Sequence, residues 1–328
     1  MKNWINRLLS SSADTQAPAA EAEPARPDAA EPADAAQVDA LQVDALYYRW
    51  LLGSAGYPAP PETEHHILDE VRNLARNPGV AAELVPRVPE LIPKLLRSLR
   101  DDSVTTGELA QQVAQDVVLV ADVLREANSA YYRPMTPIKT LDAAIMLLGQ
   151  NGLRMLLARV AFRPIIRMHE AGFARRVAPQ VWNHSEKCAV AASLMAPGLT
   201  ADIFSSCLAG LMQDVGLMVA FRLADRTCQN GKVPASPGFG IELLASSRQL
   251  SAVIATHWDF PGDVAAAIAQ AGDPDGTVLA QALAQGDHIA KLRLLIDAGM
   301  LAEDDALVAE GLNSFQRRCL GKLSNLEE

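Results

Sequence analysis

From about Leu91 to Leu320 the apolar residues recur every three or four positions and almost nowhere alternate, a period that fits helices and not strands. Leu91, Ile92, Leu95, Leu96 and Leu99 form one stripe, closed by Asp101, Asp102 and Ser103. Thr105 and Glu108 have the spacing of a capping box ahead of Leu109 and Val113. Val120, Val123, Leu124 and Ala127 mark a further helix, and Thr140 caps one that runs through Ile145 and Leu148 and stops at Gly149. Another helix runs from Leu153 towards Pro164. Helical spacing then continues over 177–195, 203–212, 217–224, 250–257, 264–271, 278–296 and about 307–320. The longest internal break, 226–240, carries Gly231, Pro234, Pro237 and Gly238. No strand of any length is needed, so the expected class is all-α, with two packed helical bundles.

The first part of the chain obeys other rules. Residues 13–45 are dominated by Ala, Pro and acidic residues and hold no aromatic side chain, so they cannot bury enough surface to offset ordering entropy. A disordered acidic tail is expected over 1–37. Val38, Leu41, Ala45, Tyr48 and Leu52 fall on one helical stripe, and Ile67, Val71, Leu74 and Ala75 on another, which gives a helical N-terminal extension over 38–80. The remaining chain divides into helical subdomains at 81–168 and 169–328. The start of the chain mixes Lys2 and Arg7 with Trp4, Ile5, Leu8 and Leu9, and it reads as a frayed end rather than a secretory signal or anchor.

Charge and cysteine usage narrow the function. Against 39 acidic residues stand 29 Lys and Arg, a net charge of −10. Nucleic acid and anionic lipid both require a basic surface, so neither is expected as the main partner. No run approaches the roughly 18 to 20 apolar residues of a membrane span. Cys188, Cys207, Cys228 and Cys319 show no metal-ligand spacing and suit reduced thiols in a cytoplasm.

Polar residues that interrupt apolar stripes are the informative ones, since a buried ionisable group must be paired or coordinated. His184 lies among Val177, Val181, Cys188, Ala192 and Met195; Asp214 ends the helix of Phe204, Cys207, Leu208 and Leu211, where its carboxylate meets the next helix N-terminus; Asp287 sits among Leu279, Leu283, Ala290 and Leu294. Together they would supply the nitrogen and oxygen donors that suit Mn, Fe or Mg. Other candidates are weaker. His65 and His66 are adjacent and face different ways, His169 and His257 lie near helix ends, His288 faces away from Asp287, and Ser185 does not share a helix face with His184.

Several stretches carry a resemblance: Val88, Pro89 and Glu90 ahead of Leu95; Glu126 to Tyr132; Ile138 to Gly149; Trp182 to Ser185; Ala209 to Gly216; and His257 to Pro261. From about Val85 to Ile296 the chain resembles the HDOD proteins, a degenerate bacterial branch of the HD superfamily related to the HD-GYP phosphohydrolases. In that resemblance His184 corresponds to the first metal histidine, Asp214 to the aspartate of the His-Asp doublet, and Asp287 to the late aspartate. The doublet's histidine is replaced by Gln213, a further histidine by Arg248, and a His pair by Gln270 and Ala271. A hydrolase must hold its ion and still leave room for water and phosphate. The resemblance with this depleted set implies no catalytic residue and no cofactor, a weakly held single divalent ion being the lesser alternative. His184 and Asp214 are then expected to hydrogen-bond in the core.

The function expected is a non-catalytic bacterial signalling or regulatory module, cytoplasmic, acting on a protein partner that is itself a signalling component. The alternative is a residual metal-dependent phosphohydrolase acting on a nucleotide or cyclic dinucleotide. Arg154, Arg159, Arg163 and Arg167 edge an apolar stretch, and they are read either as a solvated face or as an interaction strip for an acidic partner.

Overall fold

The computed structural model describes residues 32–53, 57–84, 104–114, 117–129, 132, 134–166, 172–228 and 232–324. The Leu91 to Leu99 stripe, the Val88 to Glu90 motif, His169 and residues 1–31 of the expected tail lie outside these. Residues 36–328 form one compact unit, and residues 1–35 are divided from it. The described chain is almost wholly helical, as the apolar spacing predicts. The exception is a two-residue parallel pairing of β1 (Tyr57–Pro58) with β2 (Lys232–Val233).

Helix α1 (Pro32–Leu52) starts six residues before the expected Val38. Proline suits a first helical turn, and Ala33, Ala35 and Ala36 are strong helix formers. Its buried face also differs from the expected stripe. Val43, Tyr47, Tyr48, Leu51 and Leu52 are buried, whereas Leu41 is 43% exposed. The two tyrosines bury large rings side by side, with Val43 and Leu51 a turn away from Tyr47, and together they set which side turns inward.

Helix α2 (Pro61–Arg76) buries Ile67, Leu68, Val71 and Leu74, and α3 (Pro78–Glu83) follows it. Glu64 fastens α2 to the break before the later helices. Its carboxylate accepts from the Ala235 and Ser236 amides at 2.8 and 3.0 Å and from the Ser236 hydroxyl at 2.6 Å. The extension is thus packed on the main body.

Helix α4 (Thr106–Ala114) has the predicted capping box. The Thr105 amide donates to Glu108 Oε2 at 2.7 Å, and the Glu108 amide donates to Thr105 Oγ1 at 3.3 Å. Helix α5 (Val117–Ala127) leads into a loop closed by Asn128, whose amide nitrogen donates to the Ile138 carbonyl at 2.8 Å while its oxygen accepts from the Ile138 amide at 2.7 Å. The long α6 (Leu141–Ile166) is broken at Gly149, where φ is 66°. This is the stop the sequence predicts.

The second half is built on α7 (Phe173–Met195). Its first turn is satisfied from a distance, because Asp225 accepts from the Phe173 and Ala174 amides at 2.7 and 2.9 Å. Helices α8 (Ile203–Met212), α9 (Val215–Thr227) and α12 (Val278–Asp297) pack directly on it, while α10 (Pro237–His257) lies against α9 and α11 (Gly262–Gln270) against α8, α10 and α12. The short α13 (Ala306–Ala309) and α14 (Ser314–Leu323) close the chain.

Two glycines set how tightly these helices approach α7. A Cβ on Gly210 of α8 would lie 2.5 Å from Ala189 Cα, and one on Gly286 of α12 would lie 2.5 Å from the Ala192 backbone nitrogen. Backbone therefore touches backbone on both sides of α7, which draws the ends of α8 and the middle of α12 onto the face that carries His184. The main core is continuous across the expected 168/169 boundary, running from Leu109 through Phe162 and Trp182 to Leu294. One described stretch, Ile203–Thr227, is long and apolar enough to cross a membrane, but 83% of its most apolar window is buried inside the fold. It is also two helices, divided at Gln213 and Asp214.

Candidate functional site

The three residues singled out from the stripes come together. His184, fully buried on α7, lies between two carboxylates. Its Nδ1 donates to Asp214 Oδ2 at 2.8 Å, and its Nε2 sits 3.1 Å from Asp287 Oδ1, within ion-pair range but out of line for a hydrogen bond. Asp214 directly precedes α9 but does not cap it. Its carboxylate turns instead to His184 and to Ser185, whose hydroxyl donates at 2.7 Å. The expectation that Asp214 serves the next helix terminus is corrected: a buried imidazole and hydroxyl compete better for the charge than amides already at the end of a turn. The turn itself is held by Ser251, whose hydroxyl donates to the Gln213 carbonyl at 2.5 Å and accepts from the Gly216 amide at 2.8 Å.

Asp287 is the hub of the cluster. Its Oδ1 accepts from Gln213 Nε2 at 3.1 Å, and its Oδ2 meets Arg248 at 3.2 Å and Lys291 Nζ at 2.6 Å. Gln213 also donates to the Cys188 sulfur at 2.9 Å. Arg248 points inward, and its second nitrogen reaches the Ala271 carbonyl at 3.2 Å. Gln270, by contrast, accepts from the Thr277 amide at 3.3 Å and serves a loop. Helix α1 completes the cluster: Asp44 Oδ1 lies 2.6 Å from Lys291 Nζ, and the Tyr47 ring lies 4.7 Å from the His184 ring.

These contacts fix the charges. Burial disfavours a charge on His184, but the attraction of Asp214 and then of Asp287 outweighs it and raises the ring to about 9. Burial likewise disfavours the Asp287 carboxylate, yet Lys291, Arg248 and His184 hold it well below the usual range. Desolvation and the surrounding carboxylates keep Tyr47 a neutral phenol, and burial pushes the Cys188 thiol up and makes it inert.

A consequence in pH follows from the first of these. Because the folded value of His184 lies above the ordinary 6.5, its contribution to stability is complete below about 6.5 and is lost as pH rises through about 9. The change is on the order of 3 kcal/mol at 1.36 kcal/mol per unit. Unfolding free energies of the protein and of His184→Gln, compared between pH 6 and 9.5, should differ in slope in that direction. Parallel profiles would show that the ring is neutral.

The arrangement does not suit a metal ion. A ligand imidazole needs a free lone pair, whereas both His184 nitrogens face carboxylates, and Asp287 is spent on Arg248, Lys291 and Gln213. Among the described residues no group of three His, Cys, Asp or Glu side chains is placed to hold one. Nor is it a nucleophile site. Ser185 and His184 bind the same carboxylate oxygen, so the adjacent residues do meet at one point, but the hydroxyl reaches Asp214 and the Val181 carbonyl and not the imidazole.

Two of the four arginines of the expected strip do not lie at the surface. Arg154 and Arg159 are buried, at 5 and 7% exposure, and Arg159 pairs with Glu186 at 2.8 Å and Glu126 at 3.4 Å. Arg163 joins Glu126 at 3.2 Å, and Arg167 lies outside the described residues. Arg159, placed on an apolar stripe, is drawn inside by acidic partners on other helices, and with Arg154 it is withdrawn from any docking surface.

Lys291, Asp44 and Tyr47 are the site residues that sequence reasoning missed. Lys291 had a signal, since it stands one helical step beyond Asp287 on the same apolar face. Asp44 and Tyr47 had none, because nothing local indicates that α1 lands there.

A family profile described as HDOD domain matches residues 85–274. Three solved structures share the fold. One is described as an HDOD domain protein with unknown function from Geobacter sulfurreducens, with 19% identity, TM-score 0.54, and coverage of 78% of this chain and 94% of that one. Another, from Shewanella amazonensis SB2B, is described as a "Putative phosphohydrolase", with 22% identity, TM-score 0.51, and coverage of 74 and 96%. The third, from Marinobacter aquaeolei VT8, is described as a "Putative signal transduction protein", with 18% identity, TM-score 0.51, and coverage of 88 and 66%. An uncharacterized protein of Treponema pallidum (strain Nichols) is 25% identical over 155 residues, which are 47% of this chain and only 29% of that protein's length.

Proposed function

The chain belongs to the HDOD domain family, and on that premise we propose that it is a non-catalytic regulatory module that acts in a bacterial signalling pathway through contact with another protein. The observation that supports this reading is the occupation of Asp287. An ion bound there would have to displace the Lys291 ammonium at 2.6 Å and the Arg248 guanidinium at 3.2 Å, both permanently charged and both attached to the chain. A cation that cannot leave supplies charge balance but no open coordination position for water or phosphate. The signal-transduction description of the Marinobacter structure agrees with this role, and the phosphohydrolase description of the Shewanella structure names the competing one. Cys188, Cys207 and Cys319 are free and buried, which suits a reducing cytoplasm.

Metal analysis of the purified protein, paired with a phosphodiester assay, separates the two. We expect metal well below one equivalent per chain and no turnover. Manganese or iron near one per chain, with turnover abolished in Asp214→Ala, would establish the hydrolase instead. Affinity capture with the intact protein would then identify the partner.

A further inference from the structure

Helix α1 lies outside the region matched by the family profile, and so does α12, yet the two meet over the His184 cluster. The meeting is specific. Lys291 is 2% exposed, and its ammonium takes two carboxylates at equal distance, Asp287 of its own helix and Asp44 of α1, each at 2.6 Å. Asp287 alone cannot balance the cations around it, because it already faces Arg248, and Asp214 is committed to His184 and Ser185. The carboxylate of Asp44 therefore supplies the missing counter-charge.

One turn further along α1, the Tyr47 ring packs against His184 at 4.7 Å, tilted by 41°, with the Lys291 ammonium 5.4 Å from its centre, a cation against an aromatic face. An aspartate and a tyrosine three residues apart thus enter the site together.

Two features bear on how α1 is held. The Tyr47 hydroxyl is buried without a hydrogen-bond partner, whereas its neighbour Tyr48 donates to the Pro234 carbonyl at 2.8 Å. A buried tyrosine ordinarily finds such a partner, and since Trp182 Nε1 on α7 lacks one as well, the outer position of α1 is the feature that sets it apart. In addition, the side of α1 that carries Leu41, Gln42 and Arg49 is open to solvent, so the helix covers the site as an outer layer and is not enclosed by others.

We propose that the surface formed by Lys291, Arg248 and His184 is a docking site for a helix bearing Asp-x-x-Tyr, that α1 occupies it in cis, and that a partner protein presenting the same pair on a helix displaces α1. Recognition then rests on a carboxylate for Lys291 and an aromatic face for His184, and release of α1 is the step that opens the surface. The docking equilibrium is measurable by itself. Only its use by a signalling partner rests on the regulatory reading, so a failure of affinity capture and a failure of docking are distinct results.

The test uses the full chain and a fluorescently labelled peptide with the sequence of residues 36–53. In the double variant Asp44→Lys and Tyr47→Ala the resident helix loses both contacts, and the peptide should bind this protein at least tenfold more tightly than the unaltered one, where α1 competes. A peptide with the same two changes should lose that gain. Equal binding to both folded proteins, or equal binding of both peptides, overturns the proposal. Exchange of α1 between two copies, seen as a stable dimer, puts a second copy in the site and overturns the proposal as stated. Hydrogen exchange on the unaltered protein decides the matter even where the variant does not fold. Amides of 39–52 should exchange together and at least tenfold faster than the slowest amides of α7 and α12. If they exchange only with those helices, α1 is fixed core and there is no docking equilibrium.

Discussion

Asp287→Ala is expected to lower the unfolding free energy by about 3–5 kcal/mol, the range for breaking a buried ion pair from one side. The loss is large because of what remains. Lys291 is 2% exposed and Arg248 is otherwise held, among the described residues, by the Ala271 carbonyl, so removing the shared carboxylate leaves two buried cations with Asp44 alone to balance them. His184 loses one of its two carboxylates at the same time. Asp287→Asn keeps the shape and should recover little, since an amide cannot balance charge. The double change Asp287→Leu with Lys291→Met should be milder than Asp287→Ala alone, because it removes a buried cation together with one partner, and the other, Asp44, keeps 22% of its side chain exposed to water. Denaturant titration of the three variants measures these differences. A loss below about 1 kcal/mol for Asp287→Ala would mean that both cations reach water, and the cluster could not then be closed.

Gly286→Val should be comparably severe by a different route. The first carbon of any side chain at 286 falls 2.5 Å from the Ala192 nitrogen and 2.8 Å from its Cα. These are backbone atoms within α7 and cannot rotate away, so α12 must move out and carry Asp287 with it. Overpacking costs typically 1–3 kcal/mol, and here the displaced aspartate adds part of the loss just described, so we expect little folded protein. Gly321→Ala on α14 is the matched control. Nothing lies within 4 Å of a methyl group there, and replacing a helical glycine should gain roughly 0.5–1 kcal/mol. Yield and melting temperature of the two variants, measured side by side, test the contrast. A Gly286→Val protein that melts like the original would show that α7 and α12 do not touch.

What could be read from the chain alone was set by distance along it. Capping at Thr105 and Thr140 and the break at Gly149 depend on neighbours within one turn, and all three were legible. Each of the polar positions His184, Asp214 and Asp287 was legible by itself, because a charged residue among apolar ones is conspicuous wherever its partner lies. Partner choice was not. Lys291 and Asp44 are separated by 247 positions, and no local pattern distinguishes an aspartate on α1 that faces solvent from one that reaches a buried lysine. The same reasoning explains Arg154 and Arg159. Their place on an apolar stripe could have been taken as a sign of burial, but Glu126 and Glu186, which accompany Arg159, belong to other helices and become neighbours only in the fold. On α1 the spacing was right and the face only partly so: Tyr48 and Leu52 of the expected stripe are buried, Leu41 is exposed, and Val43, Tyr47 and Leu51, which follow the same period, are buried beside them.

The two carboxylates that bracket α9 act on α7 as a pair of rungs. Asp214 holds His184 and Ser185, and Asp225 holds the first amides of α7 at Phe173 and Ala174. The spacing is the same on both rails: 225 − 214 = 11 and 184 − 173 = 11, counted in opposite directions, which is about 16 Å along each helix. Two antiparallel rods pinned at two points can neither slide nor turn against each other without breaking both pins at once. Between the two pins α7 carries Pro179, which removes one of its backbone hydrogen bonds, so the helix is weakest where α9 spans it. In mechanical terms α9 is a splint laid across the weak point of α7.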